Sequence, residues 1–231
     1  MICINCKFTA CLALTVLFVS MTSCARRGNT DLLTGPAAIG NNSSDTVMPR
    51  ISGDPVAGKV KSQICQGCHG VDGNSTDGQI PKLAGQYDEY IIKQMRNYQE
   101  GTRSHEIMNG MAAPLSDKDL ADIAAYFADQ PIMKGKEARP NETGEKLFKH
   151  GNISEMVMTC AYCHGKTGKG IDPSTGMYPV IGGQHKAYLL KQLKDFREDD
   201  RVNSPNAAMN KTLKALSNSE LEALADYISG L

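Results

Sequence analysis

The chain has 231 residues, of which 41% are hydrophobic and 22% charged, and its 25 basic side chains balance its 25 acidic ones. This composition fits one or two compact soluble domains. The lack of a basic excess argues against a nucleic-acid-binding protein. Eight cysteines are many for a cytosolic chain, so their positions call for an explanation by export, metal binding or redox chemistry.

The first 23 residues have the layout of an export signal. A basic residue precedes an apolar run over 10–21, and small residues follow the run. The run is short for a membrane-spanning helix, which needs roughly 20 apolar residues. We therefore predict that residues 1–23 are a cleaved signal and that Cys3, Cys6 and Cys11 are absent from the mature protein.

The segment after this signal is predicted to tether a folded part to a membrane. The tetrapeptide MTSC ends at Cys24 and resembles the lipobox of bacterial lipoproteins, in which the cysteine carries the lipid. Residues 24–53 contain many Gly, Asn, Ser and Pro residues without a helical or strand period, which is typical of a flexible tether. The prediction is an exported lipoprotein, and the alternative is an unanchored N-terminus left by cleavage elsewhere.

An internal repeat divides the rest of the chain into two modules. The motif CxxCH occurs at 65–69 and at 160–164. PKLAGQYDEYIIKQMRNYQEGTR matches YPVIGGQHKAYLLKQLKDFREDDR, and LSDKDLADIAAYFA matches LSNSELEALADYIS. We predict a first domain over 54–131, a linker over 132–138 and a second domain over 139–231. The linker is short, so the two domains should pack together.

Each module is predicted to be all-α. Its last helix begins with a serine and carries an acidic residue three positions later, a capping box, at Ser116 and Asp119 and again at Ser217 and Glu220. Apolar residues recur at helical spacing after each cap. Middle helices are expected near 88–99 and 186–196. Modules of this size often need a cofactor to complete the core.

The CxxCH motif is typical of covalent haem attachment, in which two thiols add to the haem vinyl groups and the adjacent histidine ligates iron. The candidate residues are Cys65, Cys68 and His69 in the first module and Cys160, Cys163 and His164 in the second. A zinc site is the alternative, but it would need the two motifs to converge across modules. One self-contained site in each module favours two covalently bound haem c groups.

Methionine is the expected sixth ligand of iron in a small electron carrier. Met108 and Met209 each precede the serine cap of the last helix by eight residues, in a segment predicted to be a loop. Met111 lies in the same segment, but its counterpart in the second module is Thr212. The repeat therefore selects Met108 and Met209.

Three further histidines and two aligned prolines complete the candidates. His105, His150 and His185 are predicted to be surface or loop residues. Only His105 lies near a proposed ligand segment, and its equivalent in the second module is not histidine. A histidine that ligates haem usually donates its other ring N–H to a carbonyl. Pro81 and Pro179 could supply that carbonyl, or they could serve as rigid turn residues.

With these motifs, residues 54–231 resemble the cytochrome c4 family, two-haem members of the class I c-type cytochromes. The resemblance rests on CQGCHGVDGNS, PKLAGQ, MNGMAAPLSDKDLADIAAYFA, CAYCHGKTGKG, IGGQHKAYLLKQLKDFR and ALADYISGL. It implies two packed cytochrome c domains, His/Met ligation of both irons and periplasmic electron transfer. The implied haem-binding residues are Cys65, Cys68, His69 and Met108 for one haem and Cys160, Cys163, His164 and Met209 for the other, with the carbonyls of Pro81 and Pro179 on the histidines.

The predicted function is therefore electron transfer and not catalysis, because two six-coordinate irons leave no position for a substrate. The protein would pass single electrons from a donor such as a bc1-type complex to a terminal oxidase or another acceptor. One alternative is the haem subunit of a larger oxidoreductase of the flavocytochrome type. Another is a two-haem peroxidase-like or thiosulfate-oxidising enzyme, which needs an accessible iron or an unusual ligand.

The charges are distributed unevenly between the modules. Residues 54–131 carry 7 basic and 11 acidic side chains, a balance of −4, whereas residues 136–231 carry 13 and 12, a balance of +1. A charged surface attracts partners of the opposite charge, so two surfaces with different charge attract different partners. We predict that the two ends dock different redox proteins.

Overall fold

A computed structural model of the chain describes residues 52–135 and 141–231. The predicted signal, the predicted lipidation site Cys24 and nearly all of the predicted tether lie outside these residues, as does part of the linker. All described residues belong to one compact unit, Met48–Leu231. Among them, no helix is both long enough and apolar enough to cross a membrane.

The first module contains five helices. They are α1 (Pro55–Lys61), α2 (Gln63–His69), α3 (Asp88–Glu100), α4 (Glu106–Ala112) and α5 (Asp117–Ala128). The last helix, α5, begins at the predicted capping box. The Asp119 N–H donates to Ser116 Oγ over 3.2 Å, and the Ser116 N–H donates to the Asp119 carboxylate over 3.1 Å.

The second module repeats this order. Its helices are α6 (Glu142–His150), α7 (Cys160–His164), α8 (Lys186–Arg197), α9 (Ala208–Leu213) and α10 (Asn218–Gly230), with short 3-10 turns at Ile153–Glu155 and Pro205–Ala207. The all-α prediction is confirmed. In the two described ranges, extended pairing is limited to an isolated bridge between Asn152 and Val157.

One expectation about the loops was wrong. Met108 and Met209 were predicted to lie in irregular segments, but each lies in a short helix, α4 or α9, between the middle and last helices. The capping of α4 shows why a helix forms there. His105 precedes this helix, and its Nδ1 accepts from the N–H groups of Ile107 and Met108, which leaves fewer unpaired donors in the first turn.

Each module is built on a close crossing of its first and last helices. At Gly58 of α1, a Cβ atom would lie 1.9 Å from the Asp122 carbonyl oxygen of α5, and at Gly144 of α6 it would lie 2.1 Å from the Ala223 carbonyl oxygen of α10. No side chain fits at either position. The two glycines are required because the helix backbones nearly touch.

The crossing helices enclose one apolar core in each module. The first core includes Ile91, Leu120, Ile123 and Phe127. The second includes Phe148, Leu193, Leu213, Leu221 and Leu224. Cysteines of the CxxCH motifs, Cys65 in one module and Cys160 in the other, pack against the edges of these cores. The sites that the motifs form are therefore attached to the most buried part of each module.

The modules pack against each other through reciprocal contacts. Gln86 donates through Nε2 to the Val180 carbonyl over 2.8 Å and accepts from the Val180 N–H over 3.0 Å. Gln184 makes the same pair of bonds with the backbone of Lys82, at 2.9 and 2.8 Å. Positions 82 and 86 are equivalent to 180 and 184, so the interface has the self-complementary form of a two-fold dimer. The expectation that the modules pack together is confirmed.

A buried polar network extends this interface. Arg103 donates to Gln94, Tyr188 and Gln192 over 2.8–3.0 Å. Arg201 donates to Gln192, Tyr90 and Gln94 over 2.6–3.1 Å. Each arginine therefore bonds to residues of both modules. His185, predicted to be an ordinary surface or loop residue, also joins the modules, because its Nε2 lies 3.0 Å from both the hydroxyl and the carbonyl oxygen of Ser75.

Candidate haem-binding sites

Each CxxCH motif lies on a short helix that ends at the histidine. In α2 and α7 the histidine is the last helical residue, and the next residue is a glycine with positive φ, 85° at Gly70 and 80° at Gly165. A Cβ at Gly70 would lie 2.6 Å from the Asn74 carbonyl oxygen, and one at Gly165 would lie 2.5 Å from the Gly170 carbonyl oxygen. Glycine lets the chain turn sharply there, so that both histidines are buried.

The two histidines have the same orientation partner. His69 Nδ1 lies 2.8 Å from the carbonyl oxygen of Pro81, and His164 Nδ1 lies 3.0 Å from that of Pro179. A carbonyl can only accept, so Nδ1 carries the proton and Nε2 keeps a free lone pair. This is the tautomer that a metal-ligating histidine needs, with a backbone carbonyl holding the ring.

Burial keeps both imidazoles neutral. It lowers the pKa of His69 and of His164 below the ordinary histidine value, and this effect outweighs the opposite one of the bonds to Pro81 and Pro179. A protonated ring could not bind iron through Nε2. The fold therefore favours the neutral form, which is the form that can act as a ligand.

All four motif cysteines are free thiols. Burial raises the pKa of Cys65 and Cys163, and it raises the pKa of Cys160 to about 11. Each pair lies on one short helix, with the histidine directly after the second cysteine. Because no disulfide joins the pairs, both sulfurs of each motif remain available for thioether bonds to one haem.

The two methionines occupy equivalent positions, and an asparagine holds each of their helices. Asn109 follows Met108 and donates through Nδ2 to the Tyr98 carbonyl over 2.7 Å. Asn210 follows Met209 and donates to the equivalent carbonyl, that of Phe196, over 2.8 Å. Met209 also packs against the second core, as Cys160 does. The asparagines therefore fix the methionine-bearing helices to the middle helices.

These asparagines, and the arginines of the interface, were missed by the sequence analysis. Asn109 and Asn210 each lie directly after an aligned methionine, and Arg103 and Arg201 end the aligned stretches EGTR and EDDR. The repeat that selected the methionines would have found them. Their roles depend on contacts with distant carbonyls and with the other module, and no local pattern indicates those contacts.

The structure offers a chemical test of whether haem suits these sites. In the described residues, Arg103 and Arg201 are buried and bond to amide and phenol oxygens, with no carboxylate beside them. Buried cations usually have an anionic partner. Haem c brings two propionate carboxylates, together with an iron that takes imidazole and thioether ligands. The residues therefore fit the group.

The zinc alternative does not fit the geometry. Within residues 52–135 and 141–231, no three His, Cys, Asp or Glu side chains lie close enough together to hold a metal ion. A structural zinc site needs four such ligands. The two CxxC pairs do not converge, and each remains in its own module.

Comparison with known proteins agrees with this arrangement. A family model described as Cytochrome c matches residues 57–130 and again residues 142–231. Cytochrome c4 from Pseudomonas aeruginosa is 44% identical over 189 residues, which cover 80% of this chain and 92% of that protein. The crystal structure of reduced recombinant cytochrome c4 from Pseudomonas stutzeri superposes with a TM-score of 0.74 at 43% identity, covering 78% of this chain and all of that one.

A more distant relative has a more specific name. A protein called thiosulfate dehydrogenase electron acceptor, from Stutzerimonas stutzeri strain A1501, is 33% identical over 176 residues, which cover 74% of this chain and 80% of that protein.

Two all-helical domains, each offering two thiols and an oriented neutral imidazole, define a c-type cytochrome with two haems. The matches in sequence and structure show that the chain belongs to the cytochrome c4 family. It carries two covalently bound haem c groups and functions as a two-haem electron-transfer protein.

Proposed function

We propose that this protein is a periplasmic carrier that accepts single electrons from a respiratory donor and delivers them to a terminal oxidase or another acceptor, without catalysing a reaction of its own. The equivalence of its two sites carries this proposal. Each module has the same two thiols, the same carbonyl-bonded histidine and a methionine in the same short helix. A substrate-binding haem would need a site that differs from its partner.

The proposed ligands follow from this equivalence. Cys65 and Cys68 would hold one haem and Cys160 and Cys163 the other, with His69 and Met108 on the first iron and His164 and Met209 on the second. When bound, haem c supplies a one-electron couple at its iron. A thioether ligand and burial both raise the potential of that couple. The chain contributes ligands, exclusion of water and fixed orientation.

Arg103 and Arg201 are proposed to neutralise the haem propionates. Both guanidinium groups are buried, and each bonds to side chains of both modules. A cation beside a haem favours the reduced iron, which carries one positive charge less. The same two residues would therefore hold the modules together and raise the reduction potentials.

The predicted signal at 1–23 and the lipobox at Cys24 support a periplasmic protein held at a membrane surface. Haem is attached to CxxCH motifs in exported chains, and the tether over 24–53 would let the domains stand off the lipid. The bc1-type complex and the terminal oxidase are proposed as partners on the family resemblance.

Two other functions are less consistent with these features. A thiosulfate-oxidising enzyme is disfavoured, because the thiosulfate-related relative described above is called an electron acceptor of the dehydrogenase. A haem subunit of a flavocytochrome would need a permanent partner. Purification of this protein with a flavoprotein at fixed stoichiometry would favour that second function over a free carrier.

Optical spectra of the mature haem-loaded protein test the proposal. We expect two covalent haems per chain, a far-red sulfur-to-iron band in the oxidised form and no reaction of the reduced form with carbon monoxide. A reduced form in which one haem binds carbon monoxide would mean that one methionine is not a firm ligand. The peroxidase-like function would then replace the carrier.

A further inference from the structure

The second module contains a segment that has no counterpart in the first. In the first module, α1 ends at Lys61 and the CxxCH helix begins two residues later at Gln63. In the second, α6 ends at His150 and the CxxCH helix begins at Cys160. The first module has no equivalent of residues 151–159 and still carries a complete CxxCH motif. The side chains of this segment are therefore not needed for haem attachment and require another explanation.

The segment folds back on itself in a fixed way. Asn152 and Val157 exchange two backbone hydrogen bonds, with N···O distances of 2.9 and 2.8 Å. Thr159 Oγ1 donates to the carbonyls of Phe148 and Lys149 over 3.1 and 3.0 Å. These four bonds place residues 157–159 alongside the end of α6. Met158 therefore lies next to the backbone that carries His150.

The packing turns two methionines outward on the same side. Val157 is buried in the core, whereas Met156 and Met158, on either side of it, are 84% and 56% exposed. Gly151 packs against the backbone of this turn, and a Cβ there would come within 2.3 Å of the Val157 carbonyl oxygen, so only glycine fits.

An open surface cavity of about 540 Å³ lies beside this turn and is lined by the histidine and both methionines. Its lining residues are His150, Ile153, Met156, Val157, Met158, Thr159 and Tyr162. No carboxylate is among them. In the described part of the chain, no hydrogen bond or ion pair engages the His150 imidazole. Met156 also has a φ of 57°, a conformation that costs a non-glycine residue energy and is common at functional sites.

We propose that His150, Met156 and Met158 form a binding site for a soft monovalent metal ion, Cu(I). Thioether sulfur is a soft ligand that selects Cu(I), and imidazole also suits copper. The lack of carboxylates disfavours Ca²⁺ and Mg²⁺, which take oxygen ligands. The site uses none of the haem ligands, so the protein would bind copper in addition to transferring electrons.

Silver ions test this site without redox chemistry, because Ag(I) has the ligand preference of Cu(I) and does not reduce ferric haem. Silver nitrate is titrated by calorimetry into the oxidised haem-loaded protein in chloride-free buffer. The variants are Met156→Leu/Met158→Leu, His150→Gln and, as a control, Met177→Leu, which changes another exposed methionine of the same module. Leucine keeps the apolar surface and removes only the sulfur. Any silver site at Cys24 is common to all four proteins.

We expect one tight silver ion that depends on this segment and shifts the methyl NMR signals of Met156 and Met158. The double leucine variant should bind it on the order of tenfold more weakly or worse, equal to about 1.4 kcal/mol or more. The Met177→Leu control should match the parent, and the far-red haem band should persist throughout. Competition with a Cu(I) chelator on the reduced protein should then give the same order of affinities for copper among the parent and the variants. Equal silver binding by the parent and the double leucine variant would overturn the site and mark these methionines as apolar surface.

Discussion

The two candidate ligand histidines show how few atoms can prepare an imidazole to bind iron. One backbone carbonyl, from Pro81 or Pro179, fixes the tautomer of each ring, and burial keeps the ring uncharged. A carbonyl does this better than a carboxylate would in this setting, because it brings no negative charge into the core. Orientation and protonation are thus settled by the chain before the iron is bound.

Replacing Met108 by alanine should open one iron of the haem-loaded protein. The haem of the first module would then bind carbon monoxide when reduced, the far-red band would lose about half its intensity, and the potential of that haem would fall, because the thioether favours ferrous iron. The measurements are optical spectroscopy and redox titration. Met111→Ala is the matched control, since Met111 lies in the same helix, α4, without an equivalent in the second module. A carbon monoxide response from Met111→Ala alone would reverse the assignment.

Asp122 should make the first module sensitive to acid. Its side chain is 1% exposed and lies just below the surface, where it accepts from the Asp54 N–H over 2.8 Å, from Lys61 Nζ over 2.7 Å and from Lys118 Nζ. Burial by itself raises the pKa of this carboxyl. The three hydrogen bonds lower the pKa by more than burial raises it, so the pKa is well below its ordinary value.

The sign of the pH effect follows from that shift. A lowered pKa in the folded state stabilises the protein above the unfolded carboxyl pKa of about 3.9, and the stabilisation is lost as the pH falls toward the folded value. Asp122→Asn should therefore lower the free energy of unfolding by about 1–3 kcal/mol at neutral pH, and the difference should shrink below pH ~4. Chemical denaturation at several pH values measures the stability difference at neutral pH and its decrease in acid. Asp129→Asn, an exposed carboxylate at the end of the same helix, should have little effect at any pH.

At the scale of elements, the close helix crossings determine the shape of each module. Gly58 and Gly144 let the first helix approach the last one until their backbones nearly touch. The middle helices then pack on the last helices and carry the short methionine-bearing helices through Asn109 and Asn210. In each module the same packed helices therefore position both the CxxCH motif and the methionine, through different contacts.

Gly58→Ala should destabilise the first module. The new methyl group would lie 1.9 Å from the Asp122 carbonyl oxygen, so the helices would have to move apart, at a cost of about 1–3 kcal/mol. Thermal unfolding followed by circular dichroism measures the loss. Gly110→Ala is the control, because a methyl group on this helical glycine would meet no other atom within 4 Å and alanine favours a helix by up to ~1 kcal/mol. Equal stability of the two variants would contradict the crossing as a constraint.

At the scale of the whole molecule, the interface makes one unit of two duplicated modules. Gln86 and Gln184 exchange equivalent bonds, and the arginine network links Tyr90 with Tyr188. The surfaces outside this interface have diverged in charge. The first domain is acidic, whereas the second has nearly balanced charges.

This asymmetry should appear in the kinetics of electron exchange. Because the first domain has a balance of −4 and the second of +1, a cationic oxidant should react faster with the first haem at low ionic strength. Raising the salt should slow that phase more than the other, since the Debye length falls to about 10 Å at 0.1 M. Stopped-flow measurements with a cationic and an anionic inorganic oxidant resolve the two phases. Parallel salt dependence of both phases would argue against separate docking ends.

The repeat, the all-α fold class and the candidate residues for haem attachment could be predicted from the sequence alone. This was possible because CxxCH and the serine capping boxes are local patterns, in which neighbouring residues act on one turn of helix. The methionines could be selected because the duplication supplied a second copy for comparison. Their helical setting was missed, since α4 and α9 are only seven and six residues long and depend on tertiary contacts more than on periodicity.

How the modules meet and what surrounds the motifs depend on contacts between residues that are far apart in the sequence. The bonds of Gln86 to Val180 and of Arg103 to Tyr188 join residues that are 94 and 85 positions apart, and no short pattern specifies such pairs. The same holds for the cavity at His150, Met156 and Met158, which exists because Val157 is drawn into the core and leaves its neighbours outside. Burial depends on the whole fold, and it determines which of the many polar and sulfur-containing side chains acquire a function.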